Sequence, residues 1–249
     1  MNIRCGLCAV ALSAVAGSAM AQEYPGSGAP AAWTPPIDDT PALLFLQADR
    51  SEFRLGRGNT RYLWDTQGWY GRDDNKFWVK AEGEAEFGSG VERAEFQGLY
   101  SRLVTSFFDL QAGIRQDVGP GPSPTYAVLG LQGLAPYWFE LDSALFLSDD
   151  GDLTARVEAE YELLFTQRLI GQPRIELNFA AQDVPELGIG AGLSDVELGF
   201  RLRYEIRREI APYIGISWER RLGDSADFAR AAGSRAGNVA LVAGIRLWF

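Results

Sequence analysis

Residues 239–249 read Val-Ala-Leu-Val-Ala-Gly-Ile-Arg-Leu-Trp-Phe. Val239, Leu241, Ala243, Ile245, Leu247 and Phe249 share one face at period two; Ala240, Val242, Gly244, Arg246 and Trp248 share the other. That alternation predicts a β-strand. A long aromatic strand with an open edge invites edge-to-edge aggregation. A closed barrel removes the edge, because its last strand pairs with its first.

Working back from this strand, the rest of the chain supplies partners for it. From Leu43 onward it breaks into alternating runs at roughly 43–55, 60–70, 76–87, 91–104, 107–117, 124–134, 137–147, 153–165, 168–180, 193–207, 211–221 and 239–249. Each matches the ~9–11 residues, or slightly more, that a tilted strand needs to cross an outer membrane. The connections alternate between short ones, such as Thr105-Ser106 and Ala135-Pro136, and longer Gly-, Pro- and Asp-rich ones, such as 181–192 and 222–238. Short turns on one side and long loops on the other suit an up-and-down barrel.

Residues 1–21 read as a secretory signal peptide: Arg4 precedes an apolar core at 7–16, and Ala19-Met20-Ala21 is a small-x-small cleavage site. Cys5, Cys8, Met1 and Met20 all lie there, and the chain has no His. What remains after cleavage holds no Cys, Met or His, which excludes Ser-His-Asp and Cys-His catalysis within this chain. Residues 22–42, with Pro25, Pro30, Pro35, Pro36 and Pro41, read as a short disordered periplasmic lead. The formal net charge of −10 argues against a nucleic-acid partner.

The expected fold is therefore all-β: a transmembrane antiparallel up-and-down barrel of about twelve strands over 43–249, in the outer membrane with lipid as its surroundings. Period two alone does not say which face points in. About eight strands already exhaust the width that side chains can fill, so a wider barrel with an apolar interior would hold a large void. Turned the other way, apolar faces meet lipid and charged faces line a wet lumen. A soluble β-sandwich is the competing architecture. The signal peptide, the even strand count and the aromatic C-terminus count against it. Gly244, Leu247 and Phe249 then read as an assembly signal for the barrel assembly machinery.

On that reading the inward acids include Glu82, Glu84, Glu95, Glu140, Asp142, Glu158, Glu160 and Glu162, with Lys80, Arg115, Arg156, Arg201, Arg203 and Arg246 as charge partners. Arg246 is expected to pair with an acid on strand 211–221 or on the first strand. The densest acid ladder is Glu158, Glu160 and Glu162, spaced about 7 Å apart along the strand. Such residues either form cross-strand ladders that rigidify or plug the lumen, or attract cations. Carboxylates suit hard cations and accept cupric ion only weakly.

Several stretches resemble the copper resistance protein B family. They include Trp64-Asp-Thr-Gln-Gly-Trp69-Tyr-Gly, Lys76-Phe-Trp-Val-Lys80-Ala-Glu82-Gly83, Gly130-Leu-Gln-Gly-Leu-Ala-Pro-Tyr-Trp-Phe-Glu140 and Glu158-Ala-Glu-Tyr-Glu-Leu-Leu-Phe-Thr-Gln-Arg168. The longest runs from Gly192-Leu-Ser-Asp-Val-Glu through Ile214-Gly-Ile-Ser-Trp-Glu-Arg220. The resemblance covers about residues 43–249. It implies a non-enzymatic outer-membrane barrel in copper tolerance, binding copper ions or passing them across the membrane, with a periplasmic multicopper oxidase as partner. It also implies a Met- and His-rich segment ahead of the barrel, whereas residues 22–42 contain neither residue. Copper binding would then be weak and made by carboxylates alone. The alternative is a non-specific small-solute porin, or a structural barrel that has lost metal binding.

Overall fold

A computed structural model describes residues 41–58 and 60–249. The expected signal peptide and all but the last two residues of the expected lead lie outside the described residues. The strands are β1 (Leu43–Gly56), β2 (Arg61–Gly71), β3 (Asn75–Glu86), β4 (Gly90–Thr105), β5 (Phe108–Val118), β6 (Thr125–Ala135) and β7 (Phe139–Ser148). They continue as β8 (Leu153–Glu160, resuming at Leu163–Leu164), β9 (Leu169–Ala180), β10 (Gly192–Tyr204), β11 (Ile210–Arg221) and β12 (Gly237–Trp248). Both parts of β8 pair with β9, and the Tyr161 amide donates to the Pro173 carbonyl at 3.1 Å, so the break at 161–162 is an irregularity within one strand.

Every strand pairs antiparallel with its sequence neighbours, and β1 pairs with β12, which closes the barrel. At the seam, Leu46 and Phe249 exchange two backbone hydrogen bonds of 2.8 and 2.9 Å. Twelve strands in a closed ring match the sequence expectation, to within two or three residues at most ends.

The faces also match. Leu44, Phe77, Val79, Ile114, Leu129, Leu198, Ile214, Ile216, Val239 and Leu241 are exposed on the outside, while Glu95, Arg115, Arg174, Arg201 and Arg203 are buried within. A continuous apolar exterior of this extent is unstable in water and stable in lipid. One exterior contact shows how tightly the sheet is fitted. Trp64 stands opposite Gly83, and a Cβ built on Gly83 would come within 2.2 Å of the indole. The bare glycine lets the ring lie flat on the sheet. Gly83→Val is expected to lift it and cost roughly 1–3 kcal/mol, measured as a lower urea midpoint in detergent micelles; an unchanged midpoint would refute the packing role.

Two features depart from simple alternation. In β1, Ala48 pairs with Thr66 of β2 but Arg50 pairs with Asp65, so Asp49 is an extra residue. The β1–β12 ladder skips at the same place, between Ala48/Leu247 and Glu52/Gly244. This β-bulge changes the phase of the strand. Asp49 and Arg50 both reach lumen partners, and Glu52 and Arg54 follow Arg50 inward. The second departure is inside. The lumen wall from β3 to β7 is partly apolar, with Trp78, Leu99, Tyr126, Val128 and Phe146 packed together. The lumen is charged, as expected, and this apolar patch is an addition to it. The reason is visible in the arginines above this patch: Arg115 lies 5.0 Å from the Tyr126 ring centre and 4.7 Å from that of Phe146. Rings stacked under guanidiniums fill width that charged pairs alone would leave open.

The long connection 222–238 contains a helix, α1 (Gly223–Ala231), with Ser225, Ala226 and Ala229 buried. Ser225 Oγ accepts a hydrogen bond from the Gly190 amide at 2.7 Å, tying α1 to the neighbouring loop. The segment after it borders the lumen mouth.

Candidate functional site: a charged lumen divided in two

Because side chains alternate along each strand, the inward acids and bases form rows that meet across the barrel. The central residue is Arg156 of β8. Its guanidinium donates to Glu95 of β4 at 2.9 and 3.0 Å and to Glu82 of β3 at 3.2 Å. These partners are four and five strands away around the wall, so the bonds span the lumen. Glu95 also accepts from Arg93 at 3.2 Å and from Gln97 at 2.9 Å, and forms an ion pair with Arg115 at 2.9 Å. Arg50 reaches Glu82 at 3.1 Å and Asp65 at 2.9 Å. Lys80 of β3 makes a second crossing, to Asp142 of β7.

Beside this bridge, Arg174 is ringed by four carboxylates: Glu158 and Glu176 at 2.5 Å, Glu160 at 3.2 Å and Glu197 at 3.6 Å. Arg54 continues the network from Glu197 (2.7 Å) to Glu52 (3.0 Å). Glu52 is fully buried; both its oxygens accept from Arg201 at 2.9 Å, and Tyr213 donates to it at 3.1 Å. The Tyr213 hydroxyl passes over Gly244, where a Cβ would sit 2.7 Å from it. Gly244, singled out in the sequence as part of an assembly signal, thus also makes room for a lumen contact. Near the end of the barrel where β1 begins, Arg246 pairs with Asp49 at 2.9 Å and Glu162 at 3.3 Å, and Arg203 with Glu162 at 2.5 Å. The first-strand partner expected for Arg246 is therefore present, together with a β8-side acid that was not foreseen.

The acid ladder Glu158, Glu160 and Glu162 is thus divided between arginines. Glu84 pairs with Arg61 at 3.0 Å, and Glu140 lies in the cavity described below. Among the described residues, no group of three or more His, Cys, Asp or Glu converges in a metal-holding arrangement. Site residues that the sequence did not single out include Asp49, Arg50, Glu52 and Arg54 of β1 and Asp65 of β2. The signal was present: Leu44 and Leu46 occupy even positions, Phe53 and Leu55 odd ones, with charged Asp49-Arg50 between. An apolar face that switches parity marks a bulge.

The bridge separates two cavities. The one toward the start of β1, about 390 Å³, is lined by eight acidic side chains (among them Asp49, Asp65, Glu140, Asp142 and Glu160) and by three basic ones, Lys80, Arg156 and Arg246. The one toward the long loops, about 940 Å³, is nearly balanced, with nine acids and eight arginines. They share only Glu82, Glu95 and Arg156. Those three side chains form a septum.

A closed antiparallel ring with an apolar exterior and a charged interior defines a transmembrane β-barrel of the outer-membrane type. Its fold is similar to a solved structure of the NanC porin, at a TM-score of 0.55 over 82% of this chain and 99% of that one, with 12% identity. The chain belongs to the copper resistance protein B family: the family model described as "Copper resistance protein B precursor (CopB)" matches residues 42–249. It is 42% identical to copper resistance protein B of Escherichia coli, over 86% of this chain and 72% of the relative. It is 41% identical, over the same shares, to a copper resistance protein B homolog of Pseudomonas syringae pv. tomato.

Proposed function

We propose that the barrel passes copper ions across the outer membrane as cargo, holding them loosely in the acid-rich cavity and controlling them at the Arg156 septum. Family membership supplies the metal. The observation that carries the mechanism is the lining of the smaller cavity, eight acids against three bases. In a confined space with low-dielectric walls such an excess raises the local cation concentration. Cupric ion exchanges quickly among carboxylates, which hold it more weakly than imidazole or sulfur ligands do. Passage needs sites weak enough to leave, and the absence of a convergent cluster among the described residues agrees with that. Lipid surrounds the barrel. By the rule that long loops lie outside, the acid-rich cavity opens to the periplasm, where a multicopper oxidase would meet the ion. Gly244, Leu247 and Phe249 would be read earlier, by the barrel assembly machinery.

The test is copper influx into proteoliposomes holding an impermeant copper-sensitive dye. Glu140→Gln with Glu160→Gln is expected to slow entry several-fold while leaving folding intact, since Arg174 keeps Glu158 and Glu176. Entry no faster than into empty liposomes sinks the proposal. The septum argues against a general small-solute pore, which would instead admit neutral sugars at the same rate in wild type and variant.

A further inference from the structure

A third cavity lies on the rim at the long-loop end, bordering the larger lumen cavity, with which it shares Arg57, Arg220, Arg235 and residues 236–238, and reaching the lipid-facing side at Trp218 and Val239. It measures about 470 Å³ and is lined by Arg57, Trp218, Arg220, Arg235, residues 236–238 and Val239. It contains three arginines and no acidic side chain. That is unusual in a chain of net charge −10. It also differs from the lumen, where Arg50, Arg54, Arg115, Arg156, Arg174, Arg201, Arg203 and Arg246 each hold a carboxylate. Among the described residues, Arg57, Arg220 and Arg235 make no ion pair.

Their placement follows from the strands. Along β11 the outward positions run Ile214, Ile216, Trp218, Arg220, opposite Ala243, Leu241, Val239 and Gly237 of β12. The exterior therefore passes from aliphatic to aromatic to basic within four outward positions. That is the order of a membrane crossed from its hydrocarbon to its headgroups. Gly237 has no side chain to compete with the Arg220 stem, which runs past it. Arg235 donates through Nη1 to the Arg57 carbonyl at 2.9 Å, which holds the two loops together at the cleft.

We propose that this rim cleft binds the phosphate of an anionic lipid headgroup in the outer leaflet. Guanidinium groups bind phosphate bidentately and with charge assistance. The indole beneath covers the apolar base of the same headgroup. The cleft has the size of a small-ligand site. The occupant is a lipid rather than a free anion because Trp218 and Val239 continue directly into the lipid-facing band.

The experiment uses the full chain in detergent micelles doped with diphosphoryl lipid A, dephosphorylated lipid A or inorganic phosphate, with bound lipid counted by native mass spectrometry. Diphosphoryl lipid A is expected to bind, and the Arg57→Gln/Arg220→Gln/Arg235→Gln variant to bind it about tenfold more weakly. A control, Arg72→Gln/Arg102→Gln/Arg168→Gln at the opposite end, should bind as wild type. Heat-modifiable gel mobility reports folding, and Arg220→Gln alone serves if the triple variant fails to fold. Three results would each overturn the proposal: unchanged binding by the variant, equal binding of the dephosphorylated lipid, or displacement of the lipid by millimolar inorganic phosphate at constant ionic strength.

Discussion

Arg156→Ala is expected to raise single-channel conductance in planar bilayers several-fold. The two cavities are divided by Arg156, Glu82 and Glu95, and only the arginine reaches across the lumen to both acids. Removing it leaves Glu95 with Arg115, Arg93 and Gln97, and Glu82 with Arg50. The acids stay compensated, so the barrel should still fold, and the effect is read as conductance rather than as loss of protein. Cation preference should rise too, because a positive group leaves the narrowest point. Arg156→Lys is the informative companion. A lysine keeps the charge but cannot hold both oxygens of Glu95 in a planar fork, so it should give an intermediate conductance. Wild-type conductance in the alanine variant would show that the septum is not what limits flow.

The largest stability effect is expected at Glu52. Replacing it with leucine should cost on the order of 3–5 kcal/mol, the usual penalty for orphaning a buried charge. The reason is the asymmetry of its partners. Arg54 retains Glu197, but Glu52 is the only acid that Arg201 pairs with among the described residues. The double variant Glu52→Leu/Arg201→Leu should regain much of that loss, because two apolar groups can replace a buried pair more cheaply than one unpaired charge can be kept. Urea titrations in micelles, followed by heat-modified gel mobility, measure both. Additive losses in the double variant would show that the pair is not coupled.

The strands were legible because lipid outside and charge inside impose period two, and few residues break it. β12 illustrates this: Arg246, which reads as a blemish in an apolar run, becomes an inward group once the faces are assigned. Arg156, Glu95 and Glu82 were each legible as lumen residues, yet their bridge was not. They sit on strands separated by 61 and 74 positions in sequence, and which inward side chains meet across a lumen depends on tilt and register, not on spacing. The apolar patch of Trp78, Leu99, Tyr126, Val128 and Phe146 was hidden for a related reason. Inward aromatics look like outward ones until the guanidiniums that cap them are located. Helix α1 escaped notice because its apolar side is two alanines and a serine, too weak a stripe to stand out in the loop.

The bulge at Asp49 has a consequence for how the cylinder shuts. A seam between two regular strands could close in several alignments, each two residues apart and each with the same faces. Here one edge has an extra residue and the other does not, so the two edges fit like a keyed plug. Sliding β1 against β12 by two residues would carry Glu52 away from Gly244 and the Tyr213 hydroxyl and Asp49 away from Arg246, stranding charges on both sides of the seam. The joint that closes the ring is thus also the one that checks its alignment, because a shifted seam would strand charges.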